Sequence, residues 1–257
     1  MRRFFPAFAL ALLLIPPMVS AAQVRAAVAS NFTDAIKKIT ARFEQETGNR
    51  VELIFGSTGK HYAQIRNGAP FDVFFAADVR RPRLLDDEGS AVAGSRFTYA
   101  VGRIVLWSPH PGYIEGGSKV LRAGTFQHIA IANPRLAPYG VAAQQVLESM
   151  GLWQGLQRRI VRGENISQTY QFVSSGSAEL GFVALSQVKR PGEPIKGSYW
   201  MAPPESYSPI EQQAVLLTHG RDNAAARAFL SFVQGPEARK IIEGFGYATS
   251  APDTAGR

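Results

Sequence analysis

Short apolar runs alternate along this chain with segments whose apolar residues recur every three or four positions, and glycine or proline separates the two kinds. Residues 24–29 are apolar apart from Arg25 and predict a strand ending at Ser30-Asn31. Phe32, Ala35, Ile36, Ile39 and Phe43 follow at helical spacing, and Gly48 stops that helix. Residues 51–55 predict a second strand, which turns through Gly56-Ser57-Thr58-Gly59 into a helix carrying Tyr62, Ile65 and Arg66. Gly68-Ala69-Pro70 closes that helix before a third strand over 71–76. Strands alternating with helices across such short loops predict a largely parallel α/β sheet with helices on both faces.

The later pattern is less regular. Residues 98–107 are long enough to cross between two lobes, 128–132 and 179–185 predict strands, and 140–150 predict a helix. A loop over 203–209 leads to a returning strand at 212–217, and helices over 223–233 and 237–245 follow. The expected division is therefore one lobe from residues 22–102 plus 214–250 and a second from 103–213, with 251–257 a frayed tail.

The N-terminus changes the expected location. Arg2 and Arg3 precede an apolar stretch over 4–14, Pro16-Pro17 breaks it, and Val19-Ser20-Ala21 supplies small residues for cleavage. Residues 1–21 thus read as a secretory signal, the apolar run falling short of the ~20 residues that span a bilayer. Export to the periplasm as a monomer, with no stable membrane insertion, is the expectation. Cleavage after Ala21 would remove two arginines and no acid, taking the formal charge from +8 to +6.

Composition mainly excludes. With 46% hydrophobic and 19% charged residues the chain can bury a core, and the absence of cysteine rules out disulfides and thiolate-ligated metals. His61, His110, His128 and His219 are scattered without a metal-ligand spacing. Gly56 to Gly59 lacks the Gly-Lys-Ser/Thr ending of a phosphate-binding loop, and no Gly-x-Ser-x-Gly surrounds Ser57. Among the acids in and after the third strand, Asp72 is the one expected to turn inward. Arg80, Arg81 and Arg83 read as a solvated basic face without the aromatic platform of a nucleic-acid site. A mild positive bias remains, and it fits small anions.

Four polar turns stand before expected helices: Ser30-Asn31, Gly56-Ser57-Thr58-Gly59, Tyr139-Gly140 and Glu164-Asn165-Ile166. A helix start presents unpaired N–H groups and a partial positive charge, so it attracts an anion without Lys or Arg. Hydroxyls at Ser30, Ser57 and Thr58 add neutral donors. The same residue types are also ordinary helix caps.

At these turns the sequence resembles the periplasmic molybdate-binding proteins that serve ABC importers. The likeness runs through Ala29-Ser30-Asn31-Phe32, Phe55-Gly56-Ser57-Thr58-Gly59, Asn67-Gly68-Ala69-Pro70-Phe71-Asp72, Ala137-Pro138-Tyr139-Gly140, Leu180-Gly181-Phe182-Val183-Ala184 and the ending Gly244-Phe245-Gly246-Tyr247. It implies a type II periplasmic binding fold, two α/β lobes with the ligand cleft between them, and molybdate or tungstate as ligand with no cofactor. The resemblance further implies that the metal travels as an oxyanion, with no protein group coordinating it directly. Carried over position by position, the first loop contributes Ser30 and Asn31, and the second Thr58 with Ser57 adjacent. The other lobe contributes the Tyr139 main chain and the Asn165-Ile166 turn. One departure stands out: many members carry a tyrosine where this chain has Ala184, and Asn31 is the expected substitute donor. The resemblance implies an extracytoplasmic receptor that delivers the anion to a membrane permease, with no catalytic step. A receptor for sulfate or phosphate is the alternative within that class, and a periplasmic hydrolase using Ser57 or Thr58 the alternative outside it.

Overall fold

Residues 22–249 are described by the computed structural model, so the expected signal segment and C-terminal tail lie outside the described residues. The first half-lobe runs β1 (Gln23–Ala29), α1 (Thr33–Thr47), β2 (Arg50–Gly56), α2 (Thr58–Arg66), β3 (Val73–Ala76), α3 (Arg80–Asp87) and β4 (Phe97–Gly102). After Arg103 the chain builds β5 (Ile104–Ser108), α4 (Lys119–Ala123), β6 (Ile129–Ala132), α5 (Pro138–Ser149) and α6 (Trp153–Leu156). It continues through β7 (Ile160–Gly163), α7 (Ile166–Ser174), β8 (Leu180–Ala184), α8 (Leu185–Val188) and β9 (Ser198–Met201). β10 (Ile210–Leu216), α9 (Ala224–Gln234) and α10 (Pro236–Gly244) complete the chain.

These elements form two five-stranded sheets, ordered β2-β1-β3-β10-β4 and β7-β6-β8-β5-β9. β1 pairs in parallel with both β2 and β3, whereas β10 runs antiparallel between β3 and β4. The second sheet repeats the design, with β6 parallel to β7 and β8, and β5 antiparallel to β8 and β9. The chain therefore passes between sheets twice, at Arg103 and again between β9 and β10.

Both faces of each sheet are covered, which explains the continuous apolar runs. In β1, Val24, Ala26 and Val28 face a core with Phe32, Ile36, Phe43 and Phe229, while Ala27 faces Ile65, Phe74, Leu85 and Val215 on the other side. The same alternation in β5 sends Ile104 and Leu106 to one core and Val105 and Trp107 to the other. Each large side chain so buried contributes about 1.5–3 kcal/mol.

One expected boundary needs correction. A division between residues 213 and 214 would cut β10, all of which belongs to the first sheet. Gln212 and Gln213 misled the pattern: both are buried although polar, and the pairing of β10 with β4 shifts register between them. A bulge of this kind re-aims successive side chains, so polar residues at the strand's start stay inside. Asp72 does turn inward, accepting from the Arg25 N–H at 2.7 Å.

Candidate functional site

The four polar turns occupy the facing ends of the two lobes. Ser30 and Asn31 open a single turn of 3-10 helix (Ser30–Phe32) that runs directly into α1. Phe32 anchors that turn from behind, its ring centroid 4.6 Å from Tyr99 and 5.7 Å from Tyr247. Ser57 caps α2, its Oγ accepting from the Lys60 N–H at 3.3 Å. Thr58 is buried, and its Oγ1 accepts from the Ala77 N–H at 3.0 Å. With that lone pair engaged and the rotamer fixed, the Thr58 hydroxyl keeps its own proton to donate.

From the second lobe, Asn165 caps α7 by accepting from the Ser167 and Gln168 N–H groups, both at 3.0 Å. Ile166 is the first residue of α7 and Tyr139 the second of α5, so each carries an N–H that its own helix leaves free. Pro138 suits the start of α5, where no N–H is needed. The close seat of α5 on β6 depends on Gly140, where an added Cβ would lie 2.2 Å from the Ala132 carbonyl oxygen.

The lobes touch through these same turns. Ser30 Oγ donates to Asn165 Oδ1 at 3.3 Å, and Ser167 Oγ donates to the Ser30 carbonyl at 3.1 Å. The Gly59 N–H reaches the Leu136 carbonyl at 2.9 Å. Lys60 Nζ pairs with Glu164 across the gap at 2.9 Å, and Arg190 with Asp34 at 2.9 Å. All seven expected residues, Ser30, Asn31, Ser57, Thr58, Tyr139, Asn165 and Ile166, thus lie on turns that meet or flank the interlobe gap.

Asn31 is placed differently from a simple side-chain donor. Its Nδ2 donates to Gln212 Oε1 at 2.8 Å and to the Tyr247 hydroxyl at 3.0 Å. What Asn31 has free is its main-chain N–H near the start of the helical run. Burial pushes the Tyr139 phenol well above its ordinary value, keeping it neutral beside the Gln212 amide.

The cations nearest in sequence are engaged elsewhere. Lys60 holds Glu164, Arg66 pairs with Glu88 at 3.0 Å, and Arg162 donates to Gln157 at 2.7 Å. Arg81 does not belong to a solvated face as the sequence pattern suggested. It pairs with Asp78 and reaches the Arg135 carbonyl of the other lobe at 3.2 Å. The Asp78–Arg81 spacing of three was the available signal. A cavity of about 400 Å³ between the lobes, beside α5, has Arg80, Arg81 and Arg135 in its walls. A second cavity, of about 580 Å³, lies on the outer surface of α1 and α10 and touches none of the four turns.

Sequence reasoning missed Ser186, Gln187, Gln212 and Tyr247. Gln187 accepts from the Ala184 N–H at 3.0 Å and donates to the Ile166 carbonyl at 3.1 Å, so it fixes the α7 start where Ala184 offers no hydroxyl. Two glutamines inside an apolar strand could have flagged Gln212; Tyr247 stands in the ending that carries the resemblance, with nothing there to give it a role.

Chemically, the arrangement offers neutral hydrogen-bond donors. Among the described residues, the hydrogen bonds of Ser57 Oγ and Thr58 Oγ1 involve main-chain N–H groups rather than His, Asp or Glu. No group of three or more His, Cys, Asp or Glu among them could hold a metal ion. No helix among them is long and apolar enough to cross a membrane.

His61 lies under the second turn, fully buried on α2, with Nε2 3.2 Å from the Val28 carbonyl and Nδ1 3.1 Å from Gln64 Oε1. Burial, more than any neighbour, lowers its pKa from 6.5, and the Lys60 charge adds to that. The unfolded chain therefore takes up a proton at this residue before the folded one does. Its contribution is fully present above about 6.5 and declines as pH falls from there towards the lowered folded value. Urea titrations of His61→Gln beside wild type between pH 5 and 7 should show a shallower acid-side loss in the variant. Parallel curves would contradict this.

Residues 24–248 match the family of bacterial extracellular solute-binding proteins. The chain is 51% identical over 234 residues to the molybdate-binding protein ModA of Azotobacter vinelandii, covering 91% of this chain and 93% of that protein. It is 48% identical over 231 residues to the molybdate-binding protein ModA of Rhodobacter capsulatus, covering 90% of each. The solved periplasmic molybdate-binding protein of Azotobacter vinelandii superposes with a TM-score of 0.86 at 43% identity, covering 89% of this chain and all of that one.

Proposed function

Since the chain belongs to the periplasmic molybdate-binding proteins, within the bacterial extracellular solute-binding proteins, we propose that it captures molybdate, and tungstate with it, outside the cytoplasm and delivers the anion to an ABC-type permease. The observation that carries this reading is the meeting of neutral polar turns from both lobes, where Ser30 Oγ donates to Asn165 Oδ1 at 3.3 Å across the gap. A tetrahedral oxyanion taken between the lobes would accept from the Thr58 hydroxyl, from the Ser30 hydroxyl once its proton turns from Asn165 Oδ1, and from the N–H groups of Asn31, Thr58, Tyr139 and Ile166. Ser57 and Asn165 would support it as the caps that shape two of these turns.

Binding and release are the whole function in this reading. Bonds from both lobes form together only when the lobes close on the anion, so the ligand selects the closed arrangement. No Lys or Arg side chain touches the ion. A guanidinium fork suits many oxyanions, whereas fixed neutral donors each claim one oxygen. The arginines in the interlobe cavity wall steer the anion inward, an effect screened over about 8 Å at 0.15 M salt.

Calorimetric titration of the purified protein with molybdate, tungstate, sulfate and phosphate tests this directly. Molybdate and tungstate should bind with similar affinity, since their charge and shape nearly coincide. Sulfate should bind at least ~10-fold more weakly, the effect of losing one hydrogen bond to a charged partner. Tighter sulfate or phosphate binding would favour the other-oxyanion receptor, and no oxyanion binding would overturn the reading.

Removing the nearby cations should matter little. Lys60→Gln, Arg66→Gln and Arg162→Gln should each weaken molybdate binding by less than about fivefold, the scale of an exposed ion pair. Stopped-flow kinetics should place the change mainly in association. A loss above ~100-fold through faster release would reveal a direct cationic contact.

A further inference from the structure

Behind the anion turns lies a buried polar cluster that the proposed site does not itself use. Gln212, fully buried on β10, stands at its centre. Its Nε2 donates to the Tyr139 hydroxyl at 3.1 Å, while its Oε1 accepts from Asn31 Nδ2 at 2.8 Å and from the Tyr99 hydroxyl at 2.9 Å. Asn31 is held again from the other side, where Ser186 Oγ donates to its carbonyl at 2.9 Å and the Tyr247 hydroxyl lies 2.8 Å from the same oxygen. Tyr139 and Ser186 come from the second lobe; Asn31, Tyr99, Gln212 and Tyr247 come from the first.

Two backbone features look made for this contact. The register shift between Gln212 and Gln213 lets Gln212 turn inward at the end of the second crossing. Gly102, the last residue before the first crossing, leaves the space in which the contact forms. A Cβ there would lie 2.2 Å from the Tyr139 hydroxyl and 2.6 Å from Gln212 Nε2. The Tyr139 side chain therefore leaves α5 and reaches the first lobe beside the residues that flank the two crossings.

We propose that Gln212 is a positioning residue that couples lobe closure to the arrangement of the anion turns. One end of its amide takes Tyr139 from the far lobe as the other end orients Asn31 in the near lobe. Only a side chain with both a donor and an acceptor end can satisfy these partners at once. When the lobes part, the Tyr139 contact is lost and Asn31 keeps its hold on Gln212, so the near half of the site remains ordered for the next anion. Tyr139 is doubly fixed on closure, by its hydroxyl on Gln212 and by its N–H on the anion. The coupling rests on the molybdate reading above.

A double-mutant cycle tests it. Wild type, Gln212→Leu, Tyr139→Phe and the double variant are titrated with sodium molybdate, and release is followed by tryptophan fluorescence after rapid dilution. Gln212→Leu should release molybdate ~10- to 100-fold faster and associate more slowly by a smaller factor, since Asn31 loses its hold in the open state as well. The double variant should be no more than about twofold worse than Gln212→Leu, because Tyr139→Phe removes a connection that Gln212→Leu has already broken. Multiplying losses, or wild-type release from Gln212→Leu, overturns the coupling. If Gln212→Leu does not fold, Gln212→Met, which keeps the length of the side chain and has neither polar end, replaces it in the same cycle with the same criteria. Wild type that fails to bind molybdate overturns the function and the coupling together, whereas normal wild-type binding with additive variants overturns the coupling alone.

Discussion

Replacing Thr58 by Val should weaken molybdate binding by roughly 10- to 150-fold, the effect of deleting one hydrogen bond to a charged partner. Valine keeps the shape of threonine, so packing in this buried position changes little. What disappears is a hydroxyl whose acceptor side is taken by the Ala77 N–H and whose proton is left for the anion. The Ala77 N–H also loses its partner, so stability without ligand should fall by about 1–3 kcal/mol. The two effects separate experimentally: calorimetry reads affinity, and a urea midpoint without molybdate reads stability. Thr58→Ser restores the hydroxyl and should recover most of the affinity. A valine variant binding within threefold of wild type would remove Thr58 from the site.

Gly140→Ala should disturb both fold and site, for a different reason. The added Cβ would fall 2.2 Å from the Ala132 oxygen and 2.8 Å from the Ala132 and Asn133 carbonyl carbons. All three are main-chain atoms at the end of β6, which cannot swing aside as a side chain could. The first turn of α5 must lift, moving the Tyr139 N–H away from the interlobe gap. Overpacking of this kind costs about 1–3 kcal/mol, or roughly 2–12 °C in the thermal midpoint of a protein this size. Molybdate affinity should fall at least ~10-fold, because an N–H shifted by even part of an ångström loses its alignment. Gly155→Ala is the matched control: no atom lies within 4 Å of its added Cβ, so both quantities should stay near wild type. Equal behaviour of the two variants would show that the seat of α5 on β6 does not position the site.

The strands and the helix starts were legible in the sequence because each has a local cause. β1, β2 and β3 read correctly from apolar runs that both sheet faces cover, and Gly48 ends α1 where expected, its φ of 72° being one glycine tolerates. The four turns were legible because capping residues and free N–H groups are properties of adjacent positions. What the sequence hides is anything assembled across it. Gln212 reads as an interruption of a strand, yet its partners are 181 and 73 residues away at Asn31 and Tyr139. Tyr247 meets Asn31 over a separation of 216 residues. Arg81 looked solvated because its own helix is polar, and only the neighbouring lobe supplies the Arg135 carbonyl it reaches. The Ser30-Asn31 turn marks Asn31 from adjacent positions alone, whereas its orientation is set by the distant Gln212 amide.

The most direct test of the account is a structure of the protein with molybdate bound. The oxyanion should lie between the lobes, accepting from the Ser30 and Thr58 hydroxyls and from the main-chain N–H groups of Tyr139 and Ile166, with no Lys or Arg nitrogen within hydrogen-bond reach. An arginine or lysine nitrogen on the ion, or an ion seated away from these four residues, would contradict it.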